Sequence, residues 1–231
     1  MAGTDQVPVV AIDGPGGSGK GTVSRIIARN LNWHFLDSGA LYRLLALAAE
    51  QRGVSLEDEA TLAELAPQLA IRFDPAAQGD VAVYLDSQDV TDAIRSETAG
   101  NAASKVAALP AVRAALLERQ RAFREPPGLV ADGRDMGTVV FPDAIVKIFL
   151  TASAEERAKR RYKQLKEKGL NVNLADLLKE IEARDARDMS RSVAPLRPAP
   201  DAHLVDTTGL TIEEVVEQVT KLVKCRVLAG T

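Results

Sequence analysis

The sequence predicts an α/β fold in which helices cover both faces of a five-stranded parallel sheet. Short, apolar, β-rich runs alternate with segments of helical period, which is typical of buried parallel strands joined by helices. A glycine-rich turn follows the first run, and one segment departs from the alternation. The five runs are VPVVAID (7–13), WHFLD (33–37), GLVAD (128–132), IVKIFLT (145–151) and HLVDT (203–207).

Composition restricts the class of protein. With 231 residues, 46 % of them apolar and 26 % charged, the chain is typical of one folded main domain. A net charge of −3 gives no overall attraction for nucleic acid or anionic lipid. One cysteine and two histidines exclude a disulfide framework and a Cys/His zinc cluster. Since no targeting or membrane-spanning segment is evident, we expect a cytoplasmic protein. We also expect a monomer that binds neither nucleic acid nor membrane.

Apolar stripes at helical spacing follow the first two runs, and we expect both helices to pack on the sheet. Capping-box spacing of Ser153 with Glu156, and of Thr211 with Glu214, marks the starts of two later helices. The stripes consist of Val23, Ile26, Ile27 and Leu31, and of Leu41, Leu44, Leu45 and Ala48.

The segment 71–92 breaks the alternation. Val81, Val83 and Leu85 recur with period 2 between turn residues, which indicates a small antiparallel sheet. We therefore expect a subdomain inserted at about 54–96.

The motif GPGGSGKGT, from Gly14 to Thr22, fits G-x-x-x-x-G-K between a strand and a helix. Its glycines let backbone N–H groups converge on phosphate oxygens, and Lys20 adds a point charge. The alternative is a turn that merely joins strand to helix. The predicted phosphate-binding residues are Gly14, Pro15, Gly16, Gly17, Ser18, Gly19, Lys20, Gly21 and Thr22.

Gly21 stands where the phosphate-loop pattern has Ser or Thr. Magnesium keeps much of its water shell and can arrive on the phosphates of a nucleotide, so a direct protein ligand is not required. Asp13, Thr22 and Asp132 are candidates to orient its waters. Thr22 is equally well explained as a hydroxyl at a helix start.

GKGT resembles the loop of nucleoside monophosphate kinases, which implies a second phosphate-bearing substrate. Candidates for that second anion site follow two strands: Ser38 and Arg43 in DSGALYR, and Arg134 in ADGRD. The carboxyl ends of parallel strands meet at one sheet edge, and a guanidinium group forms paired hydrogen bonds with phosphate. Alternatively, Ser38 only caps a helix and Arg43 is solvated.

Two further segments are rich in arginine. EARDARDMSR (182–191) would end a helix that starts near Asn173, with Arg184, Asp188 and Arg191 on one face. These side chains would either bind the phosphate and sugar of a nucleotide or form an ion pair on the surface of the helix. Arg157, Arg160 and Arg161 share a face in ERAKRRYKQLKEKG, and we expect a short helical lid at about 155–175 that brings cations to the transferring phosphoryl group.

Together, IDGPGGSGKGT, LDSGALYR, NAASKVAALPAVR, ADGRDMGTVVFPDA and RDARDMSRSVAPLRPA resemble the bacterial cytidylate kinases over nearly the whole chain. The resemblance implies a three-layer P-loop fold and transfer of the γ-phosphoryl group of ATP to CMP or dCMP, with Mg²⁺. It implies that the glycine loop binds ATP. The implied catalytic residues are Lys20, Arg134, Arg157, Arg161 and Arg191, and the implied CMP-binding residues are Ser38, Arg43, Ser104, Arg113, Arg134, Asp135, Arg184, Asp188 and Arg191.

Ser104, Arg113 and Asp135 would read cytosine. The base offers acceptors at O2 and N3, which suit Arg113, and an amine at C4, which suits the Asp135 carboxylate. Uracil would place an oxygen against that carboxylate, at a cost of about 1 to 3 kcal/mol. The alternatives are that Asp135 pairs only with an arginine and that Ser104 is a surface or capping residue.

Two other functions fit parts of the sequence. A kinase for another acceptor would have a similar loop and lid. A nucleotide-dependent switch would be expected to carry a guanine-reading NKxD, yet the chain has no Asn-Lys pair. Nucleic-acid binding has less support, because aromatic residues make up only 4 % of the chain.

Overall fold

The structure is a computed structural model that describes residues 7–75 and 81–227. Strands and helices alternate through most of the chain. The strands are β1 (Val9–Asp13), β2 (His34–Asp37), β3 (Ile71–Pro75), β4 (Val81–Leu85), β5 (Gln88–Asp89), β6 (Leu129–Gly133), β7 (Val146–Thr151) and β8 (His203–Asp206). The α-helices are α1 (Lys20–Leu31), α2 (Ser38–Gln51), α3 (Glu59–Leu65), α4 (Glu97–Val106), α5 (Pro110–Arg121), α6 (Ala154–Glu167), α7 (Leu174–Met189) and α8 (Ile212–Val227).

The five predicted runs form one parallel sheet in the order β2-β6-β1-β7-β8, which confirms the predicted fold class. All five residues of the central strand β1 are buried. At the carboxyl ends, Asp13 is in register with Gly133, and Asp37 with Asp132. Because these strands are parallel, the polar residues that follow them are brought to one edge of the sheet.

Two helices supply much of the core of this sheet. Val23 and Ile27 of α1 pack with Val215, Val219 and Val223 of α8 against apolar residues of β1, β6 and β7. The spacing of these residues places them on one stripe of each helix, as the sequence predicted. Since α1 starts directly after the glycine loop, this packing fixes the helix end that faces the loop.

Both capping predictions are confirmed, with one difference between them. At α8, the Thr211 N–H donates to the Glu214 carboxylate at 2.8 Å, and the Glu214 N–H donates back to the Thr211 hydroxyl at 3.3 Å. At α6, the Ser153 hydroxyl accepts from the Glu156 N–H at 3.1 Å. The Glu156 carboxylate bonds Arg160 instead of completing the box.

The chain divides into two compact units. One contains the described residues up to Asp37 and those from Arg121 onward, and the other is Ser38–Gln120. In the second unit β3, β4 and β5 form an antiparallel sheet, as the period-2 pattern predicted. Val83 and Leu85 on β4 are buried. Part of the predicted insertion, residues 76–80, lies outside the described residues.

Helix α2 has a buried apolar stripe, as expected. Within the second unit it packs mainly on α4, a partner that the sequence did not indicate. An amphipathic stripe shows that one helix face is buried and does not show what covers it. No helix within 7–75 or 81–227 has the length and apolar character to cross a membrane.

Candidate active site

The phosphate loop joins β1 to α1 through three glycines in the left-handed region. The φ angles of Gly14, Gly17 and Gly19 are 149°, 80° and 88°. A Cβ on Gly14 would lie 2.0 Å from the carbonyl oxygen of Leu150, so the loop packs directly on β7. Helix α1 has no acidic residue in its first turn. The positive end of its dipole is therefore available to an anion.

Lys20 is held inside the loop. Its ammonium group donates to the Pro15 carbonyl at 3.4 Å and lies 3.8 Å from the Asp132 carboxylate. Burial, followed by the nearby positive charge of Arg134, lowers the pKa of Lys20 to about 8, although Asp132 acts in the opposite direction. A bound polyphosphate would favour the charged form and raise this pKa again.

Gly21 makes room for a carboxylate at the end of β6. A Cβ at Gly21 would lie 3.1 Å from an Asp132 carboxylate oxygen, which is closer than an ordinary contact. Glycine thus lets Asp132 approach the start of α1 beside Lys20. Thr22 is exposed in the first turn of the same helix.

Asp13 braces the turn after β6. Its two carboxylate oxygens each accept a backbone N–H at 2.8 Å, one from Met136 and one from Gly137. The carboxylate is 4 % exposed, and burial raises its pKa to about 7. This arrangement differs from the predicted orientation of metal-bound water, because both oxygens already hold the protein's own backbone.

The predicted arginines of the first unit meet the glycine loop. An ideal Cβ on Gly16 would lie 3.5 Å from a terminal nitrogen of Arg134 and 3.7 Å from one of Arg184. Asp188, only 1 % exposed, accepts from Arg134 at 3.1 Å and from Arg191. Two guanidinium groups therefore lie directly beside the loop, and a buried carboxylate orients one of them.

Arg191 does not share a helix face with Arg184. Helix α7 starts after its Asn173 cap as predicted, but it ends at Met189. Arg191 lies beyond that end and turns back to Asp188. The contact with Asp188 is therefore made from the turn that follows α7 and not from the helix itself.

The arginines of α6 are bound to the protein itself. Arg157, 4 % exposed, donates to the Gly16 carbonyl at 3.1 Å and pairs with Asp185. Arg160 donates to Glu156 and to both oxygens of Thr207. To act as the predicted lid cation, Arg157 would first have to leave these contacts. Arg161, which is partly exposed, donates to Gln164 at 3.3 Å.

Four of the CMP-binding candidates lie in the second unit: Ser38, Arg43, Ser104 and Arg113. Ser38 begins α2 and is 4 % exposed, and Arg43 follows on the same helix. Ser104 lies in α4, which packs on α2, and its 2 % exposure excludes the surface serine that was the alternative. Arg113 of α5 donates to the Ala107 carbonyl at 3.1 Å and lies 5.7 Å from the ring centre of Tyr42.

Asp135 begins an irregular turn in the first unit. It is 3 % exposed, and its carbonyl oxygen accepts from the N–H groups of Val139 and Val140 at 2.9 and 3.2 Å. The turn that follows, Met136–Val140, is a single π-helical turn, a feature that is frequent at functional sites.

Three residues with clear roles were not singled out from the sequence. Asp185 holds Arg157, Tyr42 stacks against Arg113, and the Thr207 hydroxyl reaches the Ser18 carbonyl of the phosphate loop at 3.2 Å. The RDARD segment signalled that carboxylates and arginines would pair. It could not show which carboxylate takes which arginine.

The oxygen ligands near the phosphate loop fit a magnesium ion only if the ion arrives bound to the phosphates of a nucleotide. Within the ranges 7–75 and 81–227, no group of three or more acidic, His or Cys side chains could hold a metal. Asp132 is the carboxylate beside Lys20 and Gly21, and the Thr22 hydroxyl is one residue further on. One carboxylate and one hydroxyl suit the water shell of a phosphate-bound Mg²⁺.

The chain is similar to known kinases over nearly its whole length. The family model for cytidylate kinase matches residues 10–225. The chain is 62 % identical over 225 residues to the cytidylate kinase of Stutzerimonas stutzeri (strain A1501), covering 97 % of this chain and 98 % of that protein. It is 60 % identical to the cytidylate kinase of Azotobacter vinelandii (strain DJ / ATCC BAA-1303), covering 96 % and 97 % of the two chains.

Solved structures are more distant. TT1252 from Thermus thermophilus aligns with a TM-score of 0.45 and 21 % identity, over 96 % of this chain and 98 % of that one. The family model and the curated relatives both match nearly the full length of the chain, and the glycine loop with its neighbouring arginines is consistent with them. On these grounds the chain belongs to the cytidylate kinase family.

Proposed function

We propose that the protein transfers the γ-phosphoryl group of ATP to CMP, giving ADP and CDP, and that dCMP is a second acceptor. The observation that carries this proposal is the position of Arg134 and Arg184 over Gly16 of the phosphate loop. Cationic groups beside a phosphate cradle suit a reaction in which two polyanions must approach each other. The family of the chain supplies the identity of the acceptor.

On the donor side, the loop amides and the α1 dipole bind the ATP phosphates, and Lys20 reaches the β- and γ-phosphates. An oxygen of the acceptor phosphate attacks the γ-phosphorus as the bond to the ADP oxygen breaks. Arg134, Arg191 and the lid arginine Arg161 offset the charge on the transferring group. Arg157, predicted for the same role, would first have to leave its contacts with Gly16 and Asp185. Positioning and charge neutralisation suffice for such a transfer, so no protein nucleophile is required.

On the acceptor side, the proposed ligands of the CMP phosphate are Ser38, Arg43, Arg134 and Arg191. Arg184 and Asp188 contact the sugar and phosphate. The buried ion pairs of Asp188 support this role, because they fix the directions of two guanidinium groups before CMP arrives. Residues 54–96 extend the monophosphate-binding region, and residues 155–175 form the lid.

Ser104, Arg113 and Asp135 read the cytosine base. All three are at least 93 % buried, which makes an unmatched polar group costly. We expect Asp135→Asn to lower the preference for CMP over UMP by about tenfold, because the carboxylate no longer opposes the uracil 4-oxygen. Competitive turnover of CMP and UMP measures this ratio, and unchanged ATP binding is the control. An unaltered ratio would show that Asp135 does not read the base.

Mg²⁺ would enter with ATP and be held through water by Asp132 and Thr22. When bound, it supplies charge neutralisation at the β- and γ-phosphates. The carboxylate of Asp132 lies 3.8 Å from the Lys20 ammonium group, at the place where the phosphates of ATP would enter.

A coupled ADP-release assay with CMP, dCMP, UMP, AMP and GMP, with and without Mg²⁺, tests the proposal. We expect rapid turnover with CMP and dCMP, slow turnover with the other acceptors and loss of activity in chelator. A faster rate with AMP, GMP or UMP than with CMP would overturn the assigned acceptor. Turnover without any added acceptor would overturn the kinase reaction itself.

A further inference from the structure

We propose that Asp185 is a positioning residue for the phosphate loop, an inference that rests on the proposed function. Asp185 lies on α7 and pairs with Arg157 of α6 through both of its oxygens, at 3.1 and 2.5 Å. The same guanidinium group donates to the Gly16 carbonyl at 3.1 Å and to the Ala152 carbonyl at 3.0 Å. Asp185 therefore holds the cation that holds the loop.

The bond to Gly16 fixes the direction of a peptide group in the phosphate cradle. In a trans peptide the carbonyl of one residue and the N–H of the next point in opposite directions. With the Gly16 carbonyl bound to Arg157, the Gly17 N–H is turned to the other side of the loop. The stem of Arg157 also packs on the loop, since a Cβ on Gly17 would lie 3.1 Å from the Arg157 Cβ.

Arg157 needs a carboxylate to stay in this place. Its side chain is 5 % exposed, and that of Asp185 is 14 % exposed, so the pair is shielded from water. A buried guanidinium group whose carboxylate is removed is left with an uncompensated charge. Carbonyl oxygens alone do not neutralise it, and the adjacent cationic cluster of Lys20, Arg134 and Arg184 repels it.

A second contact limits the size of the effect. The Thr207 hydroxyl donates one proton that the Ser18 carbonyl, at 3.2 Å, shares with the Thr151 carbonyl, at 3.0 Å. Arg160 orients Thr207 through both of its oxygens. The loop thus remains attached at Ser18 when its attachment at Gly16 is lost. We expect weaker ATP binding, not a collapsed loop.

The test compares Asp185→Asn with a matched control, Asp143→Asn. Asp143 pairs with Arg124 at 2.7 Å, and Arg124 likewise donates to a backbone carbonyl, that of Val7, at 2.7 Å. This second assembly is also an arginine that joins a carboxylate to a backbone carbonyl, and it lies outside the phosphate loop. Its pair is bonded through one oxygen, and the Asp143 side chain is 41 % exposed. Calorimetric titration of each variant with ATP, in the absence of CMP, measures donor binding directly.

We expect Asp185→Asn to weaken ATP binding about tenfold, while the KM for CMP changes less than twofold. Asp143→Asn should bind ATP within twofold of the parent. Asp185→Glu should recover part of the loss. Combining Asp185→Asn with Arg157→Lys should lose no more than the worse single variant, because both act through one contact.

ATP binding by Asp185→Asn that equals or exceeds that of the parent overturns the proposal, since Arg157 would then serve the donor better when released. Equal losses in both Asn variants would also overturn it, because they would indicate general loosening. If circular dichroism shows that Asp185→Asn is unfolded, Asp185→Glu decides, and parent-like ATP binding in that variant overturns the proposal. Failure of the parent to phosphorylate CMP would refute the proposed function, while the ATP titrations would still decide the role of Asp185.

Discussion

Replacement of Gly14 by alanine should damage the phosphate loop far more than the same change at another glycine with positive φ. Gly14 has φ 149°, and an added Cβ would lie 2.0 Å from the Leu150 carbonyl oxygen. An ordinary contact begins at 3.4 Å, so the loop and the end of β7 would have to separate by more than 1 Å. Both partners are backbone, and neither can escape by rotating a side chain.

The magnitude follows from two separate costs. Forcing an alanine into a sparsely populated backbone region costs about 1 to 3 kcal/mol. Moving packed backbone to admit the methyl group costs a further 1 to 3 kcal/mol or so. Gly53 provides the control, because its φ is 66° and nothing lies within 4 Å of an added Cβ. Gly53→Ala should therefore cost only the backbone part, about 1 to 2 kcal/mol.

Urea unfolding of both variants measures the difference, and the KM for ATP reports the loop itself. We expect Gly14→Ala to lose about 1 to 3 kcal/mol more than Gly53→Ala, which is the packing part, and to bind ATP weakly even where it remains folded. Gly53→Ala should keep the ATP affinity of the parent. Equal stability losses in the two variants, with ATP binding intact in both, would refute the reasoning that Gly14 is required by its contact with β7.

Two other predictions address acceptor binding and pH. Arg43→Ala should lower kcat/KM for CMP by about 30-fold or more, because a paired charge-assisted contact with phosphate is lost, while ATP binding stays within twofold of the parent. Steady-state kinetics with CMP and ATP varied in turn measure both effects. A loss that fell on ATP would contradict the prediction. Burial raises the pKa of Asp13 from 3.8 to about 7, so the native state holds the proton more tightly than the unfolded state. Its contribution to stability is complete below pH 3.8 and is lost as pH rises through 7. Between pH 4 and 7 the unfolding free energy of the parent should therefore fall by up to about 4 kcal/mol more than that of Asp13→Asn. If the two free energies change with pH in parallel, Asp13 keeps an ordinary pKa.

The sequence was most informative where a local pattern has one structural solution. Gly14, Gly19 and Lys20 stand at fixed spacing after an apolar strand, and the structure places them at the loop between β1 and α1. Similarly, Asn173 marked the start of α7, since a side-chain cap acts within one turn of chain. The end of α7 was less predictable, and Arg191 lies beyond it. The predicted roles of the individual arginines remain predictions.

Pairing between distant residues was the part that the sequence could not supply. Asp13 looked suitable for metal-bound water, yet it bonds backbone groups 123 and 124 residues away. Arg157 looked like a lid cation, yet it lies against Gly16 and Asp185. Charged side chains are similar in every local context, and their partners depend on which elements the fold brings together.

Five runs of apolar residues were enough to determine the parallel sheet, and the glycine loop and the arginines predicted an anion site at its edge. The expected reaction came from the resemblance to the cytidylate kinases. These features depend on residue type and spacing, because a strand, a helix and a phosphate loop each require particular residues at fixed intervals along the chain. Only the tertiary structure decided that Gly21 accommodates Asp132, that Asp188 takes two arginines, and that α2 packs on α4. Each of these depends on distances between segments remote in sequence, and such distances are set by the packing of the whole unit.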